Sequence, residues 1–132
     1  MKEQLIHKAI EARQLAYAPY SNFQVGAALL AASGEIYTGC NIENAAYPAT
    51  CCAERVAIFN ALASGEKALL ELAVVADSPE PVTPCGTCRQ VMGEFFEKKA
   101  LIHMSNMNHH TMSLKLEELL PYTFNAKQLD KK

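Results

Sequence analysis

The chain has 132 residues, with 12 lysines and arginines against 14 aspartates and glutamates, a net charge of −2. That length suits one domain over 1–132, and a chain half hydrophobic and one-fifth charged is ordinary for a globular fold. A mildly acidic chain without a basic stripe argues against nucleic-acid binding, and no apolar run reaches membrane-spanning length. Met1-Lys2-Glu3-Gln4 leads into an amphipathic pattern rather than the apolar core of a signal peptide, so a cytoplasmic location is expected.

In chain order, Leu5, Ile6, Ala9, Ile10, Leu15 and Ala16 recur at helical spacing and predict a helix over 3–17, with Pro19 just beyond it. Phe23 to Leu30 reads as a buried strand, Ser33-Gly34 as a turn, and Glu35 to Gly39 as a second strand, together a hairpin. Residues 40–51 form a loop. From Cys52 to Ser64, Ala53, Val56, Ala57, Phe59, Ala61 and Leu62 predict a mostly buried helix that Gly65 stops. Leu69 to Ala76 carries little charge and suits the middle of a sheet. Pro79, Pro81 and Pro84 mark a loop. A helix over 86–97 turns Val91, Met92, Phe95 and Phe96 inward. Ala100 to Met104 is a fourth strand, Asn106 to His110 a polar turn, 111–114 a fifth strand, and 116–120 a short helix ended by Pro121. The tail, about 126–132, is expected to fray. This alternation points to a three-layer α/β domain.

The five cysteines are Cys40, Cys51, Cys52, Cys85 and Cys88. An odd number with a Cys-x-x-Cys favours a reducing compartment and metal binding over disulfides. Cys52-Ala53-Glu54, followed by Pro84-Cys85-Gly86-Thr87-Cys88, supplies three zinc ligands (Cys52, Cys85 and Cys88) and one acid/base, Glu54. Three protein ligands leave the fourth tetrahedral position to water, the arrangement of a catalytic zinc, and this spacing is that of zinc hydrolases acting on amino-substituted bases. Each ligand set opens a predicted helix, where free N–H groups and the positive dipole end favour thiolate. Cys85 and Cys88 share one face of a helical turn. Cys52 and Glu54 lie about 200° apart around a regular helix, so they converge only on a point beyond its N-terminus.

Cys51 competes with Cys52 as a ligand. Cys52 has the x-Glu spacing, and Cys51, like Cys40, reads as a buried free thiol. A closed structural site using Cys51 as fourth ligand is the alternative, but adjacent cysteines chelate one metal poorly. Three thiolates make an electron-rich site, and Arg55 can withdraw that charge by donating hydrogen bonds to the sulfurs; its alternative is a solvated surface arginine. Glu54 is the expected proton shuttle, with a first-turn glutamate complementing the helix dipole as its bland reading. His109-His110 reads as a solvated pair.

Beyond the metal motifs, the stretches Tyr17 to Ala28, Gly39 to Pro48, Cys52 to Arg55, Pro84 to Val91 and Glu118 to Phe124 resemble, in order and spacing, the small homotetrameric bacterial cytidine deaminases. The resemblance spans nearly the whole chain. It implies an α/β/α sandwich around a mixed five-stranded sheet, one Zn2+ per subunit on Cys52, Cys85 and Cys88, and a homotetramer whose active sites are completed by neighbouring subunits. By position, Asn41 and Glu43 would hold the ribose hydroxyls, Phe23 would contact base or sugar, and the Ala53 backbone would help read the pyrimidine. Phe124 would stack on the base in a neighbour's site, with Ala45 and Tyr47 also close to a neighbour's substrate. The residues agree. Asn41 and Glu43 alternate, so in an extended segment both point to one side, and an amide plus a carboxylate suits hydroxyls. An anion there should repel a sugar phosphate, which predicts nucleosides rather than nucleotides.

The expected reaction is hydrolytic deamination of cytidine and 2′-deoxycytidine to uridine and 2′-deoxyuridine with release of ammonia, in pyrimidine salvage. The rivals are a deaminase of a cytosine nucleoside antibiotic such as blasticidin S, which Asn41-x-Glu43 disfavours, and a non-catalytic zinc-stabilised binding domain.

Overall fold

The computed structural model describes residues 1–129. Among these, helices α1 (Lys2–Arg13), α2 (Ala53–Ala63), α3 (Gly86–Phe95) and α4 (Leu116–Leu119) alternate with strands β1 (Val25–Ala31), β2 (Ile36–Cys40), β3 (Leu69–Ala76), β4 (Phe96–Asn106) and β5 (Thr111–Lys115). The strands make one mixed sheet in the order β2-β1-β3-β4-β5. β3 and β4 pair in parallel and the other neighbours are antiparallel.

Alternation along the strands builds two cores. Ala27 and Leu29 of β1, Leu72 and Val74 of β3, and Ile102 and Met104 of β4 pack with Ala57 and Ile58 of α2, Met92 of α3 and Leu116 of α4. The intervening Ala28, Ala73 and Val75 pack against Leu5, Ile6 and Ala9 of α1. Helices therefore cover both faces, as a three-layer α/β/α sandwich requires. A helix as short as α1 is marginal alone. Burying Leu5 and Ile6 on the sheet, worth about 1.5–3 kcal/mol each, holds it in place.

Two glycines set how closely the layers approach. A Cβ on Gly26 would lie 1.9 Å from the Ala9 carbonyl oxygen of α1, and one on Gly39 would lie 2.4 Å from the Ala57 nitrogen of α2. The small face Ala53, Ala57 and Ala61, all fully buried, completes the second contact. Phe59 was expected inward but is 46% exposed, because the alanine face takes the place against the sheet.

The first helix stops at Arg13 instead of 17, leaving Leu15 exposed. Tertiary pairing overrides the helical periodicity: Tyr17 N donates to Asn41 O (3.0 Å) and Glu43 N to Tyr17 O (2.9 Å), which pulls the chain into a bridge with Ile42. The fourth strand begins at Phe96, not Ala100. Phe96 already pairs with Leu69, and β4 takes five steps to Leu101 while β3 takes two to Glu71. The surplus is an irregularity that places Glu97, Lys98 and Lys99 in solvent. At the tail, Ala126–Leu129 forms a short 3-10 turn, and 130–132 lie outside the described residues.

The cleft that follows lies at the C-terminal end of β3, where Ala76 pairs with Val25 at the start of β1. The carboxyl ends of strands in α/β sheets are where ligand clefts form.

Candidate active site

Two helix N-termini meet at this end of the sheet. Cys52 is the N-cap of α2 and Cys85 the N-cap of α3. Cys52 is set by its neighbour: Cys51 exchanges both backbone hydrogen bonds with Ile42, each 2.9 Å. Backbone pairing is thus a place in the fold for Cys51, whose half-buried thiol is raised in pKa by burial. On α3, the Cys88 N–H donates to Cys85 Sγ at 3.5 Å. The sulfurs of Cys52, Cys85 and Cys88 lie within 4.8 Å of one another.

The spacing fits a metal. Sulfurs placed tetrahedrally at about 2.3 Å from one zinc are about 3.8 Å apart, and Cys52 Sγ and Cys85 Sγ are 3.8 Å apart. The donor set fits as well, since thiolates suit zinc. A hydrogen bond from Cys88 and another from Arg55 pull the Cys52 thiol well below its ordinary value, so this sulfur is disposed to be a thiolate. Arg55 Nη2 donates to Cys52 Sγ at 3.4 Å, the contact expected from the sequence. Its Nε is buried without a partner among the described residues.

Glu54 points into the same space and is 4% exposed. Burial pushes its carboxyl up to about 7, assisted by the charge of Cys52. A carboxyl in that range gives and takes protons readily near neutral pH. As the spacing predicted, Cys52 and Glu54 meet beyond the end of α2, where both line a cleft of about 280 Å³.

The cleft is also lined by Ala53 and Phe23, and by Asn41 and Glu43, whose side-chain hydrogen bonds run to residues 20–25 and not to the cysteines. Asn41 is nearly buried. Its Oδ1 accepts from Val25 N (2.9 Å) and its Nδ2 donates to Phe23 O (2.8 Å). Glu43 Oε1 accepts from Tyr20 N (2.9 Å) and Ser21 N (3.1 Å), and Oε2 accepts from the Ser21 hydroxyl. The hydroxyl bond and the two amide bonds hold the Glu43 carboxyl below its usual range against desolvation.

Ala45, Tyr47 and Phe124 do not line the cleft of their own chain. Tyr47 is 73% exposed and Phe124 56%. Ser21, Val25, Thr50, Val82 and Thr83 also line it, although the sequence reading gave them no site role. Thr83 adjoins the Pro84-Cys85 motif and that proximity was the available signal. Nothing in the spacing marked the other four.

Fold and site define an α/β domain with a three-cysteine group that could hold one zinc beside a buried carboxyl, the make-up of a zinc-dependent hydrolase. Residues 1–104 match the cytidine and deoxycytidylate deaminase zinc-binding region. The chain is 46% identical over 129 residues to the cytidine deaminase of Halalkalibacterium halodurans, covering 98% of each. It is 48% identical over 127 residues to that of Sporosarcina psychrophila, covering 96% of this chain and 93% of the relative. The crystal structure of cytidine deaminase from Burkholderia pseudomallei superimposes with a TM-score of 0.91 at 44% identity, covering 94% of this chain and 99% of that one. The chain belongs to the cytidine deaminase family.

Proposed function

We propose that the protein hydrolyses cytidine and 2′-deoxycytidine to the corresponding uridines and ammonia, with Glu54 moving the protons. The observation that carries this reading is the Glu54 carboxyl, buried in a cleft beside three sulfurs at zinc spacing. Cys52, Cys85 and Cys88 would hold the zinc, which when bound would supply Lewis-acid activation of the attacking water. Glu54 takes a proton from that water and gives one to ring nitrogen 3 as oxygen adds to carbon 4. It then carries the second proton of the water to the amino group, which leaves as ammonia. One carboxyl near pH 7 in pKa serves each transfer in turn. Two helix N-termini and Arg55 offset the charge of three thiolates.

The sugar end supports a nucleoside. Asn41 Nδ2 has one N–H left, and Glu43 Oε2 has one lone pair left, because Oε1 is filled. One donor and one acceptor match one hydroxyl, which accepts from Asn41 and donates to Glu43. A hydroxyl that cytidine and 2′-deoxycytidine share fits this count, and it makes the site indifferent to the 2′ position. The ionised Glu43 repels phosphate. Phe23 flanks the sugar or base, and the Ala53 backbone faces the pyrimidine.

The tail and the 45–47 loop are read as acting in trans. Phe124, Tyr47 and Ala45 are exposed and outside their own cleft, which suits a homotetramer in which they close the cleft of a neighbour. The reading places one domain and one zinc in each subunit, in the cytoplasm, in pyrimidine salvage. Among the described residues, no helix is long and apolar enough to cross a membrane.

Ultraviolet absorbance of cytidine, 2′-deoxycytidine, cytidine monophosphate and blasticidin S with the zinc-loaded protein tests this. Fast loss of the amino-pyrimidine band for the two plain nucleosides alone is the expected result. Preference for the antibiotic or the nucleotide changes the substrate. No change with any of them leaves a non-catalytic zinc domain.

A further inference from the structure

We infer that Ser21 is a positioning residue for substrate binding: it aims the Glu43 carboxylate and rations the hydrogen bonds that Glu43 offers to the sugar. This rests on the reading of Glu43 as a sugar ligand. The segment before β1 reverses direction sharply. Asn22 N donates to Ala18 O at 3.0 Å, and Asn22 adopts φ 56°, a left-handed conformation that asparagine tolerates better than most residues. The reversal returns Ser21 to the cleft, beside a carboxylate 22 positions later in the chain.

There the serine hydroxyl is used twice. Phe23 N donates to Ser21 Oγ at 3.0 Å, so Oγ is an acceptor there and its single proton points to Glu43 Oε2. The Tyr20 and Ser21 amides occupy Oε1. The carboxylate is thereby held at three points, which leaves one lone pair on Oε2, and Ser21 and Glu43 both line the cleft. The same hydroxyl fixes the backbone of Phe23, so the carboxylate and the aromatic at the sugar end are set by one side chain. Without the hydroxyl, Glu43 keeps its charge but gains a second free lone pair and rotational freedom.

Steady-state kinetics with cytidine on four variants tests this, with zinc content and Tm as controls. Ser21→Ala is expected to raise KM about tenfold, the worth of one hydrogen bond to a charged group, with kcat within about twofold. Ser21→Thr keeps the hydroxyl and should restore most of the affinity. Added to Glu43→Ala, Ser21→Ala should change KM no further, since the group it positions is gone. If Ser21→Ala binds cytidine like the parent while Glu43→Ala does not, the inference about Ser21 is overturned and the sugar-site reading stands. If Glu43→Ala itself leaves KM unchanged, that underlying reading fails. If Ser21→Ala raises KM equally with and without Glu43, the serine acts through the Phe23 loop, and the inference is again wrong. Ser21 is exposed and Ser21→Gly provides a second deletion of the hydroxyl should the alanine variant misfold.

Discussion

The two ends of the cleft are built on different principles. At the metal end, Cys52, Cys85 and Cys88 sit at the mouths of two helices, and their sulfurs contact mainly one another, Arg55 and one backbone N–H. At the other end, the proposed sugar end, Asn41 and Glu43 first hold the backbone of residues 20–25 and only then have one hydrogen-bonding position each to spare. The metal end keeps chemistry and scaffold largely on separate atoms, with the Cys85 sulfur that caps α3 as the exception. The sugar end uses the same atoms for both. Substitutions at the first should therefore remove catalysis cleanly, whereas substitutions at the second should mix affinity with stability.

The largest expected effect is at Glu54. Glu54→Ala should lower kcat by about a thousandfold or more, the scale of general acid–base catalysis, while metal analysis still finds one zinc per chain. Next, Gly39→Ala would drive a Cβ against the backbone of α2. The expected cost is about 1–3 kcal/mol in chemical denaturation, together with weaker zinc retention against a chelator, because α2 carries Cys52. A Gly39→Ala protein with parental stability would show that the seat of α2 is looser than described. Asn41→Ala should do both things at once. It orphans Val25 N–H and Phe23 O, costing about 1–3 kcal/mol, and it raises KM. An Asn41 variant that loses affinity with unchanged Tm would collapse the distinction between the two ends.

Glu43 gives a test by pH. Its folded-state carboxyl is lowered by the Ser21 hydroxyl and the Ser21 and Tyr20 amides. A lowered carboxyl contributes its charged form above the unfolded value and loses it only as pH falls through the lower folded value. Binding of the product uridine, followed by calorimetry, should therefore keep its Glu43-dependent part down to the ordinary glutamate value of about 4.3. Loss beginning well above that pH would mean that the carboxylate is not held. The smallest effect is remote from the cleft. His103, buried in β4, bridges Glu71 (2.5 Å) and Ser113 (2.7 Å). Ser113→Ala should cost about 1 kcal/mol and leave kcat and KM unchanged.

The metal end was legible in the sequence because its chemistry is a matter of spacing. Cys-x-Glu and Pro-Cys-x-x-Cys mark candidate ligands and acid, and residues two apart on a helix can share a site only beyond its end, which is where Cys52, the N-cap of α2, and Glu54 line one cleft. β3 was read with its full extent, since a buried run bounded by loops leaves little choice. At the end proposed to take the sugar, the sequence singled out Asn41 and Glu43, which do line the cleft, but it did not show their wiring. Ser21 carries no signal of its own, because its role depends on a left-handed Asn22 and on a carboxylate distant in sequence. Tertiary contacts misled the periodicity at Leu15 and Phe59. The first lies where backbone bridging to Ile42 ends the helix, the second where an alanine face outcompetes a phenylalanine for the sheet. His103 was invisible for the same reason as Ser21, since its partners come from two other strands.

The most direct test of the account is the ultraviolet assay of cytidine deamination run on the parent and on Glu54→Ala, with zinc measured in both. Rapid loss of the amino-pyrimidine band is expected with the parent, and near-complete loss of turnover in the variant at equal zinc content. A Glu54→Ala protein that holds zinc and still deaminates cytidine at a comparable rate would contradict it.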